Sequence, residues 1–85
     1  MSRAEPIKVL DHAYMAHFRP EPEGGYTVSC PSLPGLVSYG ATLDEARAMA
    51  ADAMAGYLEC LREDGEAIPP SDAPALAEPA PLRRA

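Results

Sequence analysis

Four side chains in this 85-residue sequence are metal ligands or nucleophiles by type: His12, His17, Cys30 and Cys60. A zinc site needs donors that converge, and sequences usually show this as closely spaced pairs such as Cys-x-x-Cys. No such pair is present. His12 and His17 are separated by an odd number of positions in a stretch that reads as a strand, so their rings point to opposite faces. Cys30 and Cys60 both fall on faces that read as core and are expected to be buried, reduced thiols. Nothing in the sequence marks a base beside either of them, as a thiol nucleophile would require. Carboxylates are more plentiful, with 13 Asp and Glu against 7 Lys and Arg. Two-metal chemistry needs several of them converging on ions about 4 Å apart. The segments that read as strands carry none, and the acids on the helix read as facing solvent. The expectation is a protein that is not an enzyme and holds no metal or cofactor.

Candidate binding surfaces remain. Glu45, Asp52 and Glu59 are spaced by seven, with Glu63 four further on, which places them on one face of a helix. That face is either a docking strip for a basic protein or an ordinary solvated surface. Ser32 and Leu33 lie inside Pro31-Ser32-Leu33-Pro34-Gly35, either a rigid rim of a binding surface or only the turn between two strands. The candidate partner contacts are therefore Ser32, Leu33, Glu45, Asp52 and Glu59. The net charge of −6 repels nucleic acid backbone, so no direct nucleic acid binding is expected, and it attracts a basic protein. No signal peptide and no apolar run of about 18 residues is visible, which points to a soluble cytoplasmic chain with no membrane contact.

The elements that must position these groups follow from periodicity. Residues 1–11 are weakly patterned: Ile7, Val9 and Leu10 read as a lead-in, and Met1 to Ala4 as frayed. From His12 to Arg19 the apolar pattern alternates, with Tyr14, Ala16 and Phe18 on one face and Ala13, Met15 and His17 on the other. Prolines and glycines over Arg19–Gly25 form a loop, and Gly25–Cys30 alternates again as an antiparallel partner. Pro34 and Gly35 occupy the second and third positions of a type II turn. Leu36–Gly40 is a third strand, with Val37 and Tyr39 on one face. The four tyrosines, Tyr14, Tyr26, Tyr39 and Tyr57, read as core or core-edge.

Thr42 to Asp64 reads as one long helix. Thr42 with Glu45 is a capping box, alanine is abundant, and Gly65 is the C-terminal cap. Its apolar stripe reads as Ala46, Ala50, Ala53, Tyr57 and Leu61, flanked by Leu43, Met49, Met54 and Cys60. Prolines from Pro69 onward end regular structure, apart from a short edge strand possible over Pro81–Arg84. The fold class is α+β: an antiparallel β-β-β-α(-β) meander with one long helix on one face. A meander covered on one side leaves Ala13, Met15 and His17 on the bare side, so these residues are the expected interface of a homo-dimer or tetramer.

With hairpin, turn and helix in place, the chain resembles the HicB family of antitoxins. The resemblance rests on Gly24-Gly25-Tyr26, Cys30-Pro31-Ser32-Leu33-Pro34-Gly35, Gly40-Ala41-Thr42-Leu43-Asp44-Glu45-Ala46, then Ala50, Ala53 and Met54, and Ile68-Pro69-Pro70-Ser71. It spans roughly residues 14 to 71. It implies a partial RNase H-like fold and an antitoxin that neutralises a small, basic, mRNA-cleaving HicA-type toxin by direct binding. The alternative is a stand-alone structural or regulatory oligomer without a toxin. The expected organisation is a HicB-like domain over 1–71, with an ordered core about 12–65. A Pro/Ala-rich tail follows over 72–85, in place of the DNA-binding domain that many family members carry.

Overall fold

The computed structural model describes residues 2–73. It contains four strands, β1 (Arg3–Val9), β2 (His12–Pro20), β3 (Tyr26–Ser29) and β4 (Val37–Gly40), and then one helix, α1 (Leu43–Glu63). The sheet is antiparallel throughout, in the order β1-β2-β3-β4. This is the α+β meander with a long helix that the periodicity predicts, with one strand added at the front.

The added strand corrects the reading of residues 1–11. Arg3 and Ala4 are not frayed; they pair with Phe18 and His17. Strand β1 alternates Ile7 and Val9 inward against Ala4, Pro6 and Lys8 outward. Pro6 and the mixed charges hide this pattern in the sequence, yet an edge strand tolerates both because its outer side needs no partner. A two-residue turn joins β1 to β2, with Val9 opposite His12. Leu10 sits in this turn at φ 56°, half-exposed, a conformation that costs a non-glycine residue about 1 kcal/mol or more.

The helix starts and stops where its caps dictate. The Thr42 hydroxyl accepts the Glu45 amide at 3.1 Å. The Glu45 carboxylate reaches back one residue further than a standard capping box, taking the Ala41 amide at 2.8 Å. At the other end Gly65 adopts φ 72°, which closes the helix with its amide on the Arg62 carbonyl. Between the caps the buried stripe is Ala46, Ala50, Met54 and Leu58. This corrects the expected stripe: Ala53, Tyr57 and Leu61 are only half-buried. Either set fits helical spacing, and only the position of the sheet selects between them.

The core lies between α1 and one face of the sheet. Tyr14, Ala16, Phe18 and Val28 supply the sheet side, Leu33 and Leu36 close the end near the turn, and the helix stripe covers them. Pro31–Gly35 folds as expected, with Gly35 at φ 86° and the Leu36 amide bonded to the Leu33 carbonyl at 3.1 Å. Gly40 marks the tightest approach. A Cβ there would lie 2.2 Å from the Ala46 backbone nitrogen, so the end of β4 can touch the start of α1 only without a side chain. The proposed edge strand over Pro81–Arg84 lies outside the described residues.

Candidate functional site

The residues singled out from sequence separate into three places. Ser32 and Leu33 belong to the turn before β4. Leu33 is fully buried in the core and presents nothing to a partner, which corrects its expected role. A type II turn leaves one of its side chains free to fold beneath it, and here the leucine fills the end of the core. Ser32 is half-buried, and its hydroxyl donates to the Asp72 carboxylate.

Asp72 is a residue that sequence reasoning missed. Strand β3 pairs with β2 only from His17 to Pro20, so the inner half of β2 lacks a neighbour on that side. The segment Ser71–Ala73 fills the gap. The Ala13 amide donates to the Ser71 hydroxyl at 3.0 Å, and the Met15 amide to the Asp72 carboxylate at 2.8 Å. The Asp72 and Ala73 amides return to the Ala13 carbonyl at 3.1 and 3.3 Å. The Ser32 hydroxyl and the Met15 amide hold the Asp72 carboxyl below the usual carboxylate range, the hydroxyl being the larger cause. The Tyr14 hydroxyl donates to the Pro69 carbonyl at 2.5 Å, and burial pushes that phenol up. No periodicity announces an aspartate that acts as a strand partner.

The expected oligomer residues lie on the sheet face away from α1. Ala13 is buried, covered by the chain's own 71–73 segment, so it is corrected from the candidate interface. Met15 is half-buried and His17 exposed. Beside His17 a shallow groove of about 390 Å³ runs past Arg19, Thr27 and Ser29 to Val37. Cys60 is exposed and only Cys30 is buried, contrary to the expectation of two core thiols. Burial pushes the Cys30 thiol up. Tyr39 is likewise not core: it is half-exposed, and its hydroxyl reaches the Gly24 carbonyl at 3.0 Å. Strand β1 also brings a carboxylate into the sheet, Glu5, which is bound by Arg47 at 2.8 and 2.9 Å and by Arg3 at 2.8 Å. Hydrogen bonding from Arg47 holds Glu5 below its ordinary range. Among the described residues, no three His, Cys, Asp or Glu side chains gather closely enough to hold a metal ion.

The third place is the flank of α1 above β4. A groove of about 360 Å³ opens there, lined by Gly35, Val37, Ala53, Gly56, Tyr57 and Cys60 among others. Tyr57 spans it, donating to the Pro34 carbonyl at 2.8 Å. Helical spacing puts Glu45, Met49, Asp52, Gly56, Glu59 and Glu63 in one row on the side of α1 away from the sheet, meeting the groove at Gly56, and all six are exposed. Glu45 is partly committed to the helix cap, whereas Asp52 and Glu59 have no hydrogen-bond partner among the described residues. Arg47 lies on the opposite flank, toward β1. The flank thus offers apolar surface next to the last strand of the sheet, with the acidic row on the adjoining outer side of the helix.

A family model described as the HicB-like antitoxin of bacterial toxin–antitoxin systems matches residues 14–80. The chain belongs to this family. Among curated relatives, this HicB-like chain is 43% identical over 56 residues to Antitoxin HicB 1 of Photorhabdus laumondii, a match covering 66% of this chain and 36% of that protein. It is 44% identical over 48 residues to an uncharacterized 14.9 kDa protein in the rep-hol intergenic region of Haemophilus phage HP1, covering 56% and 36% respectively. The chain therefore spans about a third of the length of these relatives. No solved structure matches it significantly. No helix among the described residues is long and apolar enough to cross a membrane.

Proposed function

We propose that this HicB-like chain neutralises a small, basic, mRNA-cleaving toxin of the HicA type by binding it directly, without chemistry of its own and without contacting nucleic acid. The observation that carries this reading is the acidic row through Asp52 and Glu59 beside the apolar groove, on a family member with net charge −6. Complementary charge speeds encounter with a cationic protein, and the apolar groove supplies area that holds it once it has arrived. The setting is the cytoplasm, where such a toxin would meet mRNA. The outer sheet face around Met15 and His17 is apolar enough to favour a homo-dimer or tetramer, and that surface would serve equally in a stand-alone oligomer with no toxin.

The test is co-expression with the product of a neighbouring small, basic reading frame. Copurification together with arrest of mRNA cleavage is the expected result. Continued cleavage in the presence of excess folded chain would leave the stand-alone oligomer as the better reading.

A further inference from the structure

The four strands expose three stretches of sheet edge, and two of them are closed. The free half of β2 is closed by Ser71–Ala73. Because Ala13 and Met15 direct their backbone groups to that segment, alternation turns Tyr14 and Ala16 toward β1. Their partners Ile7 and Glu5 then bond inward, which leaves Ala4, Pro6 and Lys8 facing out. Pro6 has no amide to offer there, and Lys8 is charged, two devices that discourage a further strand.

Strand β4 has neither device. His17 turns its backbone to β3, so Ser29 and Thr27 bond β2, while Val28 and Tyr26 bond Ser38 and Gly40. Val37 and Tyr39 therefore point their amides and carbonyls away from the sheet, and no segment among the described residues pairs with them. The same two side chains are among the most exposed large apolar groups of the chain, at 67% and 52%. The edge is uncharged, free of proline, apolar on its outer face, and bordered on its inner face by the groove at Ala53 and Gly56.

We infer that the β4 edge accepts an extended strand from a cationic protein, whose backbone bonds Val37 and Tyr39 and whose charge complements the net −6 of this chain. This rests on the reading of the partner as a basic protein and adds where and how it docks. A second copy of the chain suits the edge poorly. Antiparallel β4–β4 pairing about a two-fold axis would bring together two chains that each carry a net charge of −6, and like charges repel. A cationic strand turns the same net charge into an attraction.

The experiment measures amide hydrogen exchange in the full chain with two probes: the neighbouring basic gene product, and an end-blocked peptide of alternating lysine and valine. Protection of Val37 and Tyr39 is expected with both. Val37→Pro removes one outward amide and should weaken binding at least about tenfold. Val37→Lys keeps the backbone intact and sets like charge against the probe, so it decides the matter should the proline variant unfold. The paired change Asp52→Lys with Glu59→Lys should weaken binding and flatten its salt dependence. Binding that leaves Val37 and Tyr39 unprotected, or no binding of either probe, overturns the inference. So does a wild-type dimer that Val37→Pro converts to monomer, since a second copy would then be the occupant. If the peptide protects the edge while the gene product neither binds nor stops cleaving mRNA, the edge assignment stands and the toxin reading falls.

Discussion

Strands β1 and β4 bound the same sheet on opposite sides, one with Arg3, Glu5, Pro6 and Lys8 and the other with Val37, Ser38, Tyr39 and Gly40. The β1 side is also tied down: Glu5 is held by Arg47 across to α1 and by Arg3 along the strand. The β4 side is anchored on its inner face by the contact of Gly40 with the first turn of α1, and on its outer face by the Tyr39 hydroxyl on the Gly24 carbonyl. No segment among the described residues pairs with its outer backbone groups. A sheet needs no open edge for its own stability, and this chain closes two of its three stretches with proline and charge or with its own 71–73 segment. The β4 edge is the one stretch left without such a device among the described residues.

Four variants would break or sharpen this contrast. The largest effect is expected where β4 is anchored. In Gly40→Ala the added methyl meets the Ala46 backbone, which has no flexible end to move aside. A loss of about 3 kcal/mol is expected in urea unfolding, a large share of a small domain's stability. A fully stable Gly40→Ala would mean that β4 and α1 are not locked together as described.

Next is the sealed half of β2. Asp72→Ala removes the acceptor for the Met15 amide and the Ser32 hydroxyl, and about 1–2 kcal/mol should be lost, with faster exchange at Met15. The carboxyl is depressed from its ordinary 3.8 in the folded chain. Its contribution is therefore present above that value and lost as pH falls through the lower folded one. Wild type and variant should differ at neutral pH and converge in acid. A difference that persists or grows on acidification would show that the Asp72 charge is not what seals this edge.

A smaller loss is expected at the tie between β1 and α1. Arg47 is 39% exposed, so water screens its pairing with Glu5, and Arg47→Ala should lower the thermal midpoint only slightly, by less than Asp72→Ala does. The smallest stability change belongs to the outward positions of β1. The double change Pro6→Val with Lys8→Val should alter unfolding by less than about 0.5 kcal/mol yet create new self-association in sedimentation, because it makes β1 resemble β4. If the double variant stays as dispersed as wild type, proline and charge are not what closes that edge.

Whatever depends on a few neighbouring residues was legible in the sequence. Alternation over His12–Arg19 marks β2, Pro34-Gly35 marks the turn, Thr42 with Glu45 marks the helix start and Gly65 its end. The motifs around these turns also carry the family resemblance that the family match bears out. These signals are legible because turn, cap and alternation energies are settled within about four residues. The tertiary structure decided which surfaces meet. It recruited residues 3–9 as an edge strand despite Pro6, rotated the buried helix stripe onto Met54 and Leu58, left Cys60 outside and drew Leu33 inside. It also set Asp72 against β2, many positions away in sequence. Local pattern cannot report such pairings, because helical spacing allows several stripes and a strand's edge has no periodicity; only the neighbour that packs there selects among them.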